Sequence, residues 1–417
     1  MAKQMNNIVS TDSRKVLFLT TPYLRTINTK GLFPDLAREI VELGHDLTIV
    51  SPIEKRNNLA AGIRYEDRVR YIDVRTGNMS KTKSKIIKGL STITFEYEYY
   101  HAVKKFIGDE QFDLIIYSTP PISYTKTLKH FKKNPRTKTY LMLKDIFPQN
   151  AVDLEMMREG SLIHKYFRRK EKELYEYSDI IGCMSPKNVE YLKDHNAEIL
   201  SNHIVELFPN AIDLNYSDNP DSYSKELTRD QYGLPIDKYI LIYGGNIGKP
   251  QGPEFIKAFI DRIEKEKDLF FLIVGSGTEI RDIKQYSNNM QNIKVMDSVA
   301  QDEFKKLVMC SDFGCIFLDN RFTIPNFPQR LLSYMECAKP IIAATDVNTD
   351  IREVIENEKI GCWVESDPVE LDSLMEKISD IIIKNELIKM GERALFFCQN
   401  NYNVSKTVSQ LFEPLDN

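Results

Sequence analysis

Apolar runs four to seven residues long recur along the chain, separated by stretches in which apolar residues return every three or four positions. Lys15 to Thr21 (KVLFLTT) reads as a buried strand. After a polar loop, Leu32, Leu36, Ile40 and Leu43 recur at helical spacing, Gly44 ends the helix, and DLTIVSP opens a second strand. The same rhythm continues through FDLIIYSTPP (Phe112 to Pro121), TYLMLKDIFPQN (Thr139 to Asn150), a long helical region from Ser161 to Asp179, and IIGCMS. LFPNAIDL (Leu207 to Leu214) and the turn-rich segment after it read as a connector, which puts the domain boundary near residues 208–238. Beyond it come ILIYGGNIGKPQG, the helix-like EFIKAFIDRIEKE, FFLIVGSG, IKVMDSV, a helix from about Asp302, FGCIFL, and PQRLLSYMECAKPIIAATD. Strands alternating with helices predict parallel sheets, so the fold class is α/β.

Three of these stretches carry chemistry. In Ile240 to Gly252 a strand runs into a polar segment holding Gly244, Gly245, Gly248 and Gly252, then into a helix start. That order presents backbone N–H groups to a phosphate, although the same glycines could simply make the turn. Pro328 suits the first turn of a helix, which puts Arg330 among its first residues as a second anion-binding candidate, with a structural salt bridge as the competing reading. Lys144, Asp145 and Asn150 follow the TYLML strand, where parallel sheets place their sites; Asp145 could instead cap a turn. The first β-α-β turn holds only Gly31 and no G-x-G-x-x-G, which argues against a dinucleotide cofactor there.

The chain has 417 residues, enough for two domains. Its six cysteines show no C-x-x-C pair and no metal-like spacing, which reads as reduced thiols in the cytosol. The polar N-terminus and the lack of any long apolar run predict a protein neither secreted nor transmembrane. Charge is unevenly divided. Residues 1–210 hold 33 Lys+Arg against 26 Asp+Glu, and the remainder 23 against 34. The basic half therefore predicts an anionic partner. Lys81, Lys83, Lys85 and Lys88 precede an apolar and aromatic run to Ile107, and HFKKNPRTK and HKYFRRKEK add further basic clusters. Together they favour a membrane surface, against the alternative of a helix packed on its own domain with a solvated lysine face. A nucleic-acid role is disfavoured because no base-reading motif accompanies them.

Taken in order, KDIFPQNAVDL, LFPNAIDL, YGGNIGKPQG, FLIVGSG, DSV and PQRLLSYMECAKPIIA resemble the glycosyltransferase family 4 enzymes, in particular the bacterial branch that adds N-acetylated amino sugars such as fucosamine in capsule or O-antigen assembly. The resemblance runs from about Val16 to Tyr402. It implies a GT-B fold, two doubly wound Rossmann-like domains facing across a cleft: residues 1–208 for the acceptor, 209–395 for the nucleotide sugar, and 396–417 as a helix or tail returning to the first domain. It implies a retaining transferase, cytoplasmic and peripheral at the inner face of the cell membrane, that moves a sugar from a UDP-sugar to a polyprenyl-diphosphate-linked acceptor without a metal or other cofactor. Carried over, Gly245, Asn246, Lys249 and Gly252 would lie at the donor diphosphate with Gly275 and Gly277 close by, Ser298 and Val299 beside the base, and Arg330 toward the diphosphate. Gly31 and Lys144 would line the acceptor side, with Asp145 near the reacting carbon. Catalysis would rest on Asp145, Lys249 and Arg330.

The chain also departs from the family. Asn246 and Gln251 stand where many members have Arg and Lys, and Pro325 and Ser333 where a Glu pair is frequent. Ser333 thus occupies the position that normally binds the ribose, with Glu336 one turn on as a possible substitute. The missing Glu pair leaves open a non-catalytic paralogue that acts as a scaffold binding a nucleotide sugar or a partner; a GT-B sugar epimerase is a further reading, disfavoured because the N-terminal half shows few grouped histidines or carboxylates.

Overall fold

A computed structural model describes residues 13–78, 85–215 and 223–415, with the side chains of residues 85–93 outside the description. The first sheet contains β1 (Lys15–Leu19), β2 (Asp46–Glu54), β3 (Gly62–Glu66), β4 (Val69–Thr76), β5 (Leu114–Ser118), β6 (Lys138–Leu143), β7 (Ile180–Cys183) and β8 (Ile204–Leu207), in the order β3-β4-β2-β1-β5-β6-β7-β8. The second contains β9 (Tyr239–Asn246), β10 (Leu269–Ser276), β11 (Ile293–Asp297), β12 (Phe313–Phe317), β13 (Ile341–Thr345) and β14 (Gly361–Glu365), in the order β11-β10-β9-β12-β13-β14. All pairings are parallel except β3 with β4, an antiparallel hairpin turned by Asp67 and Arg68, both at positive φ. The apolar runs are buried because helices cover both faces of each sheet.

Each sheet reverses its strand order near the middle, at β1/β5 and at β9/β12, and at such a point the flanking loops diverge and leave a crevice. The two crevices face one another. Leu318, Phe322 and Ile324, which follow β12, pack into the core of the first unit. Val404, Val408, Leu411 and Phe412 join the other core face of that same unit, and Phe412 stacks on His45 with ring centroids 3.9 Å apart. Lys30 pairs with Glu336 across the units, both nearly buried. Asp153 takes the Thr323 N–H at 2.8 Å and Lys187 reaches Glu353 at 2.8 Å.

The lysine-rich stretch is only partly in view: Lys81 and Lys83 lie outside the described residues, as do the side chains of Lys85 and Lys88. Phe95, Tyr99 and Val103 of the helix that continues it are buried in the first core, so this part packs on its own domain.

Close strand packing fixes one glycine. In the β9–β10 register Gly275 lies beside Gly245, and a Cβ on Gly275 would stand 1.9 Å from the Gly245 carbonyl oxygen. Gly275→Ala is therefore expected to destabilise the chain by about 1–3 kcal/mol, read as a lower Tm in a thermal melt.

Candidate functional site

The facing crevices enclose a cavity of about 940 Å³, lined by the C-terminal ends of β1, β5, β6, β7, β9 and β10 and the loops after β11 and β12. On the second unit's wall, β9 ends in Gly244, Gly245 and Asn246. Gly245 is exposed, with φ of +113°, a conformation that favours glycine. The guanidinium of Arg330 lies beside it, with Nη2 3.6 Å from where a Gly245 Cβ would be. Arg330 is the first residue of the helix Arg330–Met335 and its guanidinium sits 4.4 Å from the Tyr243 ring centroid. This stacking holds the charge in place while leaving Nη1 buried without a hydrogen-bond partner. A buried cationic donor without an acceptor is costly, and an anion accepting from it would remove that cost.

The neighbouring loop is organised by an amide. Gln251 Oε1 accepts from Asn246 Nδ2 at 3.0 Å and from the Gly248 N–H at 2.9 Å. Thus the two neutral residues noted in the sequence hold one another, and both line the cavity. Gly275, Ser298, Val299 and Ser333 line it as well. Lys249, Gly252 and Gly277 do not. Lys249 and Gly252 border a second cavity of about 420 Å³ on the other side of the loop, beside Asp319 and Arg321. Gly252 is in the left-handed region with its Cβ position 3.5 Å from Asp319 Cα, and a Cβ on Gly277 would meet the Ile247 carbonyl at 2.1 Å. Those two glycines serve the turn and close approach. Glu336, expected as a substitute one turn beyond Ser333, is engaged by Lys30 and is not among the cavity residues.

On the first unit's wall, Lys144 and Asp145 follow β6. Thr119 fixes their backbone: its hydroxyl accepts from the N–H of Lys144 at 3.0 Å and of Asp145 at 3.2 Å, and donates to the Asp145 carbonyl at 3.0 Å. Asp145 does not cap a helix. Its two carboxylate oxygens instead accept from Asn150 Nδ2 at 2.8 and 2.7 Å. Burial raises the Asp145 carboxyl to about 6, opposed by the Asn150 and Ile146 hydrogen bonds. Burial likewise lowers the Lys144 ammonium to about 7; its Nζ lies 5.5 Å from the Phe208 ring centroid. Gly31 is the N-cap of the helix Leu32–Glu42; Leu32 and Phe33 line the cavity, and Gly31 itself does not.

Sequence reasoning overlooked Thr119, Asn210 and Phe304, which also line the cavity. Asn210 was visible only as half of a Pro-Asn turn signal, and Phe304 only as an apolar helix position. Among the described residues no group of three or more His, Cys, Asp or Glu could hold a metal ion, and no helix is long and apolar enough to cross a membrane.

Residues 238–383, which contain the whole second sheet, match the family model for glycosyl transferases, group 1. "Probable glycosyltransferase WbjE" of Pseudomonas aeruginosa is 23% identical over 303 residues, 70% of this chain and 71% of its own. WcaI of Escherichia coli (strain K12), a glycosyl transferase ascribed to colanic acid biosynthesis, is 23% identical over 169 residues, 40% of this chain and 41% of its own. Among solved structures, HepE of Anabaena in complex with UDP-glucose superimposes with a TM-score of 0.64 at 15% identity, covering 97% of this chain and 99% of that one. The two facing α/β units have the GT-B fold.

Proposed function

We propose that this glycosyltransferase moves a sugar, an N-acetylated amino sugar, from a UDP donor to a polyprenyl-diphosphate-linked acceptor with retention of configuration, in the synthesis of a bacterial surface polysaccharide. The observation that carries the reading is the guanidinium of Arg330, held on the Tyr243 ring beside Gly245 with Nη1 lacking a hydrogen-bond partner, in the cavity whose other wall presents Asp145.

Breaking the bond between sugar and diphosphate develops negative charge on the departing UDP. A fixed cation that meets this charge more strongly in the transition state lowers the barrier. Arg330 supplies it here. Lys249, bordering the other cavity, would reach the diphosphate only if the loop moved. Asp145, ionised at neutral pH, orients the attacking hydroxyl or stabilises positive charge at the sugar carbon. Ser298, Val299 and Ser333 take the nucleoside end. No metal enters this scheme.

The UDP-glucose complex of HepE supports a UDP-sugar donor, and the ascription of WcaI to colanic acid biosynthesis supports a polysaccharide product. A basic N-terminal half suits an acceptor carried on an anionic membrane face. The helix Leu162–Glu176 adds to that, with Leu162 87% exposed and Ile163 and Tyr166 also exposed.

Thermal shift with UDP, GDP and their sugars tests the reading. Ligand at about 100-fold its Kd stabilises by about 2.7 kcal/mol, so UDP is expected to raise the Tm of the wild-type chain. No response to any nucleotide would favour the scaffold reading instead.

A further inference from the structure

The second cavity, of about 420 Å³, has no part in the scheme above. Ser366, which directly follows β14, lines it and is 5% exposed. Its N–H donates to the Thr345 carbonyl at 2.9 Å, yet its hydroxyl is buried with no partner. The same cavity takes the first turn of the helix Pro253–Ile263, which is 11 residues long, has Gly252 as its N-cap and carries no side-chain cap. The N–H groups of such a turn favour an anion. Lys249 is exposed at the cavity and enters no ion pair among the described residues. The other charges there are already engaged. Arg321 forks onto both oxygens of Asp319 at 2.8 and 2.9 Å. Glu254, with its side chain 84% exposed, lies 3.4 Å from Lys257, and Glu279 accepts from the Thr278 hydroxyl at 3.1 Å. A hydroxyl, a helix start and an ammonium are left without counterparts, and together they suit a phosphate group.

We propose that this second cavity is an effector site for a phosphate group, free or as an ester, and that its occupancy weakens donor binding by holding Lys249 on the far side of the loop. Lys249 and Gln251 belong to one 3-10 turn, so movement of one carries the other. Gln251 faces the donor cavity, where its Oε1 holds Asn246 and the Gly248 N–H. A phosphate on Lys249 fixes the turn as it stands. A UDP diphosphate that recruits Lys249 must turn it the other way, so the two anions compete for one cation without sharing a cavity. By linkage, each weakens the other by the same factor. The site stands on the second cavity alone; its effect on UDP rests on the donor reading above.

The test is calorimetry on the full chain in phosphate-free buffer, with inorganic phosphate, glycerol 3-phosphate and, as a neutral control, glycerol. Both phosphates are expected to bind and glycerol is not. Tighter binding of the ester assigns an organic effector, and equal binding assigns free phosphate. Ser366→Ala should weaken both by about tenfold, the loss of one hydrogen bond to a charged group. It should not lower the Tm, because the hydroxyl has no partner in the chain to lose. The same titrations in Arg330→Ala should be unchanged, which separates this site from the donor wall. Saturating phosphate should raise the Kd of UDP by about fivefold or more in the wild type and not in Ser366→Ala. The proposal is overturned if neither phosphate binds, if Ser366→Ala binds them as the wild type does, or if the UDP shift is absent or persists in Ser366→Ala, which would mark competition within the donor cavity. Failure of UDP to bind at all counts against the donor reading and leaves Ser366-dependent phosphate binding decisive for the site.

Discussion

Arg330→Ala is expected to abolish the thermal shift produced by UDP and to lower kcat/KM by about 10²–10³, the usual loss when a fixed donor to a developing charge is removed. The size follows from isolation. Among the cavity residues the only other cation is Lys144, on the opposite wall, because Asn246 and Gln251 occupy the loop as a neutral pair. Arg330→Lys should recover little, since a lysine cannot lie flat on the Tyr243 ring and keep a donor at the same place. Folding should survive the change, because the chain loses only the contact with Tyr243, and Nη1 has no hydrogen-bond partner to lose.

Asp145→Asn is expected to reduce turnover by about 10²–10⁴ while leaving UDP binding in place, as measured by steady-state rates and the thermal shift together. The pH dependence identifies the groups. Asp145 titrates at about 6 and acts ionised, so kcat/KM rises as pH passes upward through 6. Lys144 titrates at about 7 and acts protonated, so the rate falls again above 7, and Lys144→Arg should move that limb to higher pH. Stability provides an independent sign. The folded chain keeps a proton on Asp145 that the unfolded chain releases above its ordinary value of 3.8, so this group's contribution declines as pH rises from about 4 to about 6. Asp145→Asn lacks that decline. Undiminished turnover in this variant would remove Asp145 from the mechanism.

The alternation of strands and helices was legible because each sheet is buried on both faces, which leaves unbroken apolar runs such as Ile240–Tyr243 and Phe270–Val274. The β3–β4 hairpin was not, since Gly62–Glu66 is largely exposed and carries no such run. Within the site, Gly245 and Arg330 were readable from strand end and helix start. Lys249 was placed at the phosphate because the family resemblance carries that position over. In the short 3-10 turn Lys249–Gln251, successive side chains point in different directions, and it is Gln251 that turns inward. Glu336 likewise looked available one helical turn beyond Ser333, but its partner Lys30 is about 300 residues away in sequence and could only be found in space. Asn210 showed in the sequence only as part of a turn signal, since its burial depends on how the connector passes beside Met184.

Residues 404–412 complete a core face begun by Val16, Phe18 and Ile40. During synthesis the first unit therefore emerges with that face uncovered and keeps it so until the second unit has been made. Unlike domains that close one after another from the N-terminus, it reaches its final packing only when the far end of the chain arrives. A ribosome-bound nascent chain ending near the connector would present that apolar surface to chaperones, and the two halves expressed separately would each lack part of the other's packing.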